Sequence, residues 1–164
     1  MLNSKVQAAL NQQINAELAS EYLYLSMAAY FESEDLKGMA HWMVVQAGEE
    51  HQHAMRIFDY VNDRSGRVNL SEIASPKGEW TAPLEAFKDA YAHEVKISTM
   101  INELMNLVAM ERDGASHDFL EWFAREQVEE EAAAQLIVSQ LNRVGDSGVG
   151  LHMIDQQLGQ RGAK

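Results

Sequence analysis

Cysteine is absent from the chain, which excludes disulfide bonds, thiolate metal ligands and cysteine nucleophiles. Proline occurs only at Pro76 and Pro83, so long stretches are free of the residue that breaks helices. No apolar run approaches the roughly 20 residues of a membrane-spanning helix, and the first ten residues lack a signal-peptide pattern. We therefore expect a cytoplasmic protein with no membrane partner.

Positive charge is scarce as well. The 164 residues include 13 Lys and Arg against 25 Asp and Glu, which gives a formal net charge of -12. Such a chain repels nucleic acid and attracts cations, so no nucleic-acid partner is expected. Apolar residues make up 46%, enough for a core, and Ala, Leu, Glu, Gln and Met are good helix formers. The composition predicts one all-α domain spanning residues 1–164.

The periodicity of apolar residues predicts four long helices and one short helix. The predicted ranges are about 4–33, 36–64, 83–113, 116–144 and 151–158. Ser4 and Gln7 fit a capping box at the start of the first helix, and Pro83 suits the first turn of the third.

The links between these helices indicate the topology. Links of a few residues, around Glu34 and around Gly114, make the first two helices antiparallel and the last two antiparallel. The link at 65–82 can stretch to about 59 Å, longer than a ~28-residue helix of about 42 Å. The sequence therefore predicts a four-helix bundle with one long crossover and a short C-terminal helix. An up-and-down bundle with a floppy loop is the alternative.

Polar residues interrupt the core stripe of each long helix near its middle. Those of interest are Glu17 on the first helix, Gln46, Glu50 and His53 on the second, Glu94 on the third, and Gln127 and Glu130 on the fourth. The interval from Glu17 to Glu50 is 33 residues, and Glu94 to Gln127 is also 33. On the second and fourth helices a further polar group follows three residues later, on the same face. The pattern is that of a dinuclear carboxylate site between two similar halves.

The charge of these residues favours a metal site. Glu17, Glu50, Glu94 and Glu130 would bring four negative charges into the core, and no Lys or Arg lies on the stripes. An unpaired buried carboxylate costs several kcal/mol, and two divalent cations would supply the missing charge. The imidazole of His53 makes a mixed oxygen and nitrogen site, which suits iron, manganese or zinc. A single Glu or His at such a position usually reaches solvent. The presence of four glutamates and His53 at the middle of the core stripes favours a buried metal site instead.

The sequence around these positions resembles the bacterial non-haem ferritins over nearly its whole length. The matching residues are Glu17, then Glu49-Glu50-His51-Gln52-His53-Ala54, then Glu94, then Glu126-Gln127-Val128-Glu129-Glu130-Glu131. The resemblance implies that Glu17, Glu50 and His53 hold one iron. It implies that Glu50 bridges to a second iron held by Glu94 and Glu130. Gln127 would be a hydrogen-bonding neighbour.

The same resemblance implies a ferritin-like fold and further features of function. A third, weaker iron site would use Glu49, Glu126, Glu129 and Glu130. The expected activity is ferroxidase: Fe(II) is oxidised by O₂ or H₂O₂, and ferric oxyhydroxide is stored in a shell of 24 subunits. Tyr24, seven residues after Glu17 on the same helix face, would donate an electron or order the site, with ordinary packing as an equal alternative. The same roles are considered for Trp122, four residues before Glu126, but ordinary packing is favoured there.

Two further expectations come from comparison with relatives of this family. Haem is not expected, because Gln52 stands where haem-binding bacterioferritins have methionine, and Gln127-x-x-Glu130 replaces their second Glu-x-x-His. The terminal helix would pack around four-fold axes of a shell through Leu151, Ile154 and Leu158, or back on its own bundle.

Two other functions remain open from the sequence. The first is a di-metal carboxylate redox enzyme acting on a small molecule, of the manganese catalase or oxygenase type. The second is a structural bundle that binds no metal.

Overall fold

The computed structural model describes residues 2–162, and all regular structure in that range is α-helical. The helices are α1 (Ser4–Ser33), α2 (Lys37–Asp63), α3 (Pro83–Met110), α4 (Gly114–Val144) and α5 (Gly148–Leu158). The predicted all-α bundle with a long crossover and a short fifth helix is confirmed. Within residues 2–162 no helix is long and apolar enough to cross a membrane.

The start of α1 differs in detail from the prediction. The N-cap is Asn3, whose side chain accepts a 2.8 Å hydrogen bond from the Lys5 backbone N–H. The predicted capping box of Ser4 and Gln7 is wrong, because Gln7 Oε1 accepts from the Arg67 backbone N–H at 3.0 Å. Asparagine at this position satisfies the same free N–H groups that serine would.

The turn between α3 and α4 lies earlier in the chain than predicted, at 111–113 rather than about 114–115. Helix α3 ends at Met110, and Arg112 adopts a left-handed backbone with φ 55°. Helix α4 begins at Gly114, because the Asp113 side chain accepts from the Ser116 N–H at 3.2 Å and caps its first turn. The short turn holds the two helices antiparallel.

The crossover from α2 to α3 lies along α1 and is anchored to it. Near its start, Asn11 donates to the Arg67 carbonyl at 3.0 Å and accepts from the Asn69 N–H at 3.1 Å. Near its end, Ser26 donates to the Lys77 carbonyl at 2.7 Å. The link therefore runs the length of α1 back to the end of the bundle where α2 begins. Helix α3 starts there, so α2 and α3 are parallel, and the alternative of a floppy loop is wrong.

Two apolar clusters fill the ends of the bundle. One contains Phe31, Met39, Phe87 and Leu141, and the other contains Leu10, Ile57, Ile101 and Leu120. Between them lies a layer of buried polar residues, here called the polar layer, namely Glu17, Gln46, Glu50, His53, Glu94, Gln127 and Glu130. The apolar ends screen this layer from solvent, so charges within it interact strongly.

Helix α5 packs back on its own bundle, against α2 and α4. Ile154 and Leu158 are buried there. The Asp155 side chain accepts from the Met39 N–H at 2.8 Å and caps α2, a helix whose own N-cap residue makes no side-chain bond. At Gly38 an added Cβ would lie 1.7 Å from the Asp155 carbonyl oxygen. Glycine at this position permits the close approach of the two helices.

Replacement of Gly38 by alanine should push α5 away from α2. We expect a loss of ~1–3 kcal/mol in unfolding free energy, as for other overpacked contacts, and faster proteolysis after residue 144. Gly48→Ala is the matched control on the same helix, because no atom lies within 4 Å of its added Cβ. Unchanged thermal unfolding and protease resistance in Gly38→Ala would contradict the packing described for α5.

Candidate metal centre

The first half of the polar layer comes from α1 and α2. Ligand atoms of Glu17, Glu50 and His53 all lie within 4.8 Å of one another, and all three side chains are buried. Glu50 and His53 lie one helical turn apart on one face, with His53 Nδ1 at 3.6 Å from Glu50 Oε2. One carboxylate from each helix and one imidazole thus converge on one point.

The second half of the layer comes from α3 and α4. Gln127 Nε2 donates to Glu94 Oε2 at 3.1 Å. Gln46 Nε2 joins the halves, since it donates to Glu50 Oε1 at 2.9 Å and to Glu130 Oε2 at 2.8 Å. The structure therefore brings Glu94, Gln127 and Glu130 into the same layer as the first three ligands.

Glu94 is held differently from the other carboxylates. Among residues 2–162, it belongs to neither group of side chains whose ligand atoms lie within 4.8 Å of one another. Its two oxygens accept hydrogen bonds from the Tyr24 hydroxyl and from Gln127. These donors stabilise the carboxylate in the metal-free protein and keep it beside the centre.

Burial and mutual repulsion raise the pKa of most of these carboxyls. Burial first, then the charge of Glu50, raises the pKa of Glu17 well above its ordinary value. The same two causes raise the pKa of Glu94 to about 8. For Glu130, burial raises the pKa to about 7, while a hydrogen bond from Gln46 opposes the rise. The centre therefore holds protons at neutral pH that cations can displace.

Glu50 and His53 behave as a charged pair. Burial opposes ionisation of Glu50, but the hydrogen bond and charge of His53 hold the pKa of this carboxyl below its ordinary value. Burial likewise opposes protonation of His53, but its hydrogen bond to Glu50 and the nearby carboxylates raise the pKa of the imidazole to about 9. Glu50 is thus the carboxylate that stays ionised at the middle of the layer.

A cation fits the chemistry of this layer. Glu17 Oε2 is buried and has no hydrogen-bond partner within residues 2–162. A buried, unpaired carboxylate oxygen is unfavourable unless a cation compensates it. Four carboxylates and one imidazole form a ligand set that suits iron, manganese or zinc.

A Ferritin-like domain family model matches residues 7–144 of the chain. The chain belongs to the ferritin family. It is 46% identical over 161 residues to a bacterial non-heme ferritin of Bacteroides fragilis (strain 638R), and the match covers 98% of this chain and all of that relative. A bacterial non-heme ferritin of Staphylococcus aureus (strain MRSA252) is 35% identical, with 98% of this chain and 97% of the relative covered.

A solved structure agrees with this assignment. The open pore ferritin of the hyperthermophilic archaeon Archaeoglobus fulgidus superposes on this ferritin with a TM-score of 0.97 at 47% identity, covering 98% of this chain and 99% of that one. The resemblance to bacterial non-haem ferritins inferred from the motif is confirmed.

The residues expected at a third site are only partly brought together in this ferritin. Ligand atoms of His53, Glu126 and Glu130 lie within 4.8 Å of one another. Glu129 is exposed, and Glu49 is bound by the guanidinium of Arg161. His53, Glu49 and Glu126 nevertheless line one cavity of about 530 Å³ between α2 and α4, here named the α2–α4 pocket.

The two aromatic residues singled out in the sequence have different surroundings. Tyr24 is fully buried, and its hydroxyl donates to Glu94. Burial and the charge of Glu94 raise the pKa of this phenol well above its ordinary value. The Trp122 ring lies edge-on to His53, with centroids 5.4 Å apart, and the Arg56 guanidinium lies 4.1 Å from its centroid. Trp122 therefore packs against a ligand rather than bonding to it.

Sequence reasoning missed Gln13 and placed Gln46 on its core stripe without giving it a role. Gln13 Nε2 donates to Glu17 Oε1 at 2.8 Å, and Gln46 donates to Glu50. Each glutamine precedes its glutamate by four residues, a spacing that places both on one helix face and could have identified them. His93 was also missed: its Nε2 lies 2.7 Å from Ser20 Oγ, and its ring meets Tyr24 edge-on.

Proposed function

We propose that this ferritin binds two Fe²⁺ ions per subunit in the polar layer and oxidises them as the first step of iron storage. The observation that carries the proposal is the convergence of four glutamates and one histidine from four helices at the bundle centre. The unpaired Glu17 oxygen supports it, because the metal-free layer leaves a ligand atom without a partner. Iron is the substrate of this reaction.

Each ligand has a proposed role. Glu17, Glu50 and His53 would hold one iron, since their ligand atoms already lie together. Glu94 and Glu130 would hold the second, with Glu50 bridging the pair. For Glu94 this is compatible with the hydrogen bonds from Tyr24 and Gln127, because each carboxylate oxygen has two lone pairs and receives one of these bonds. Two divalent ions balance the four carboxylates that the layer encloses.

The reaction balances with either oxidant. Two Fe²⁺ ions each lose one electron, and O₂ takes up two electrons and two protons to give H₂O₂. With H₂O₂ as oxidant, the same two electrons and two protons give two water molecules. The carboxylates favour the reaction because their negative charge stabilises Fe³⁺ more than Fe²⁺. A bridging Glu50 would keep both ions within reach of one oxidant molecule.

Storage requires that the product leave the centre and that subunits enclose a cavity. We propose a shell of 24 subunits in which ferric ions hydrolyse to an oxyhydroxide mineral. Large apolar side chains that are exposed in the isolated subunit support self-association, notably Tyr22 and Leu25 on α1 and Val149 and Met153 on α5. The cytoplasmic location, the lack of haem and the third iron stay predictions.

An anaerobic Fe²⁺ titration of the intact assembly, followed by O₂ addition with light scattering, tests this function. We expect uptake of about two ions per subunit, rapid oxidation and continued mineral growth. Tight binding without mineral growth in a small oligomer would favour the di-metal enzyme acting on a small molecule. No binding would contradict both functions and leave a structural bundle.

Replacement of Tyr24 by phenylalanine should slow oxidation without reducing the number of bound ions. The change removes only the hydroxyl that orders Glu94, and loss of such an outer partner typically costs about 10-fold or more. Stopped-flow absorbance of the ferric product measures the rate. Tyr91→Phe is the matched control, because Tyr91 is a half-buried tyrosine on α3 that lies outside the polar layer. Wild-type kinetics in Tyr24→Phe would exclude the role.

A further inference from the structure

Arg161, which follows α5, is anchored on α2. Its Nη2 donates to the Glu49 carboxylate, and its Nη1 donates to the Trp42 carbonyl at 3.4 Å. The guanidinium also lies 4.4 Å from the centroid of the Trp42 ring. His41 Nε2 lies 2.9 Å from the Arg161 carbonyl and completes the attachment as a donor. The end of the described chain is thus held beside the metal centre.

Glu49 lies where a further ligand would be expected. It is the neighbour of Glu50 in the chain, and with His53 and Glu126 it lines the α2–α4 pocket. His53 and Glu130 belong to both the polar layer and the ligand group with Glu126. The pocket therefore adjoins the centre through His53, and Glu49 lies on the wall of this pocket.

We propose that Arg161 withholds Glu49 from metal ions and thereby keeps the α2–α4 pocket a weak binding site. This inference rests on the proposed di-iron centre. A guanidinium stays protonated at all working pH values, so its bond to Glu49 cannot be released by titration. A cation in the pocket would have to break that charge-assisted bond and would also face the positive charge of Arg161.

The consequence is an asymmetry between the two sides of His53. On the inner side, Glu17 and Glu50 offer their charge to the metal. On the pocket side, the charge of Glu49 is compensated by Arg161, which leaves Glu126 and Glu130 of the ligand group and Asp59 on the pocket wall. Iron that reaches the pocket therefore binds weakly and is not retained. Arg161, in the segment after α5, is the cause of this weak binding.

Binding of Co²⁺ to the intact assembly tests the proposal, with calorimetry and visible absorption as readouts. Wild type should bind two ions tightly per subunit. Arg161→Gln should gain a third site, with affinity about tenfold higher than any third site in wild type, equivalent to ~1.4 kcal/mol. Glu49→Gln alone should change nothing, and Arg161→Gln combined with Glu49→Gln should return to the wild-type isotherm. Arg161→Lys retains the charge and should resemble wild type.

Three results would overturn the proposal. Arg161→Gln could give the wild-type isotherm, in which case Arg161 does not control the pocket. Glu49→Gln alone could weaken a third site, in which case Glu49 is already a ligand. The third site could persist in the double variant, in which case it comes from loosening of α5 and not from release of Glu49. Fewer than two tight ions in wild type would contradict the di-iron function itself, so the two failures are distinguishable.

Discussion

Replacement of Glu50 by alanine should abolish rapid Fe²⁺ oxidation. Glu50 is the carboxylate that stays ionised in the layer. It lies beside Glu17 and His53, and Gln46 joins it to Glu130. Loss of partners outside a metal's ligand set typically costs 10–100-fold, so removal of the proposed bridging ligand should reduce the initial rate by ~100-fold or more. Stopped-flow mixing with O₂ measures this rate.

Glu121→Ala is the control for Glu50→Ala. Glu121 is a half-exposed carboxylate on α4 that contacts Arg125, so its removal changes net charge equally without altering the layer. The control should oxidise iron at the wild-type rate. A Glu50→Ala protein that matches this rate while remaining folded would show that oxidation takes place elsewhere.

The polar layer could be predicted because helical periodicity is strict. Glu17, Glu50 and His53 lie on core stripes that are apolar toward both ends, so their burial follows from the packing of the stripes. The bundle and its crossover were predictable for the same reason, since the length of the 65–82 link limits the ways to join α2 to α3. Local spacing was sufficient for these features.

The orientation of side chains within the layer was not predictable in this way. Glu94 lies in the expected layer, and its two oxygens accept hydrogen bonds from Tyr24 and Gln127, which fix the orientation of the carboxyl group. The periodicity gives the face on which a residue lies but not its rotamer. The rotamer depends on neighbours from two other helices, α1 and α4.

Contacts between distant parts of the chain were also beyond sequence reasoning. Arg161 binds Glu49 across 112 positions, and Asp155 caps α2 through Met39 across 116. Neither pair shows a local spacing, and both depend on where α5 docks. This docking depends on the close approach of α2 and α5 at Gly38. In the sequence, nothing distinguishes Gly38 from any other glycine within a helix.

The metal-free protein should become less stable as the pH rises from about 5 to about 8. Glu94, with a pKa of about 8, and Glu130, with a pKa of about 7, hold protons in the folded state that the unfolded chain releases near its ordinary value of 4.5. The folded state therefore binds more protons in this window, and the free energy of unfolding falls as pH rises. His53, with a pKa of about 9, adds in the same direction above 6.5, while Glu50 acts only below 4.5.

The expected change is large enough to measure. Each such proton changes the free energy of unfolding by ~1.4 kcal/mol per pH unit. A loss of even ~3 kcal/mol in this free energy would lower the unfolding midpoint on the order of 10 °C. Circular dichroism at one scan rate, with chelator present, follows the midpoint. A midpoint that is flat or rises between pH 5 and 8 would contradict the burial of these carboxyls in the metal-free layer.

Metal should reverse this loss, because a cation replaces the protons that the carboxylates would otherwise hold. Co²⁺ at about 100-fold excess over its dissociation constant adds ~2.7 kcal/mol per site, and the gain should be greatest near pH 8. Glu94→Gln separates the pH-dependent loss of stability from the gain on metal binding. The variant lacks a buried acid, so the metal-free protein should be more stable than wild type at pH 8. It also lacks a proposed ligand, so the stabilisation by Co²⁺ should be smaller. Glu121→Gln should leave both quantities at wild-type values. If Glu94→Gln instead destabilised the metal-free protein and kept the full gain from Co²⁺, Glu94 would be a structural hydrogen-bond acceptor and not a metal ligand.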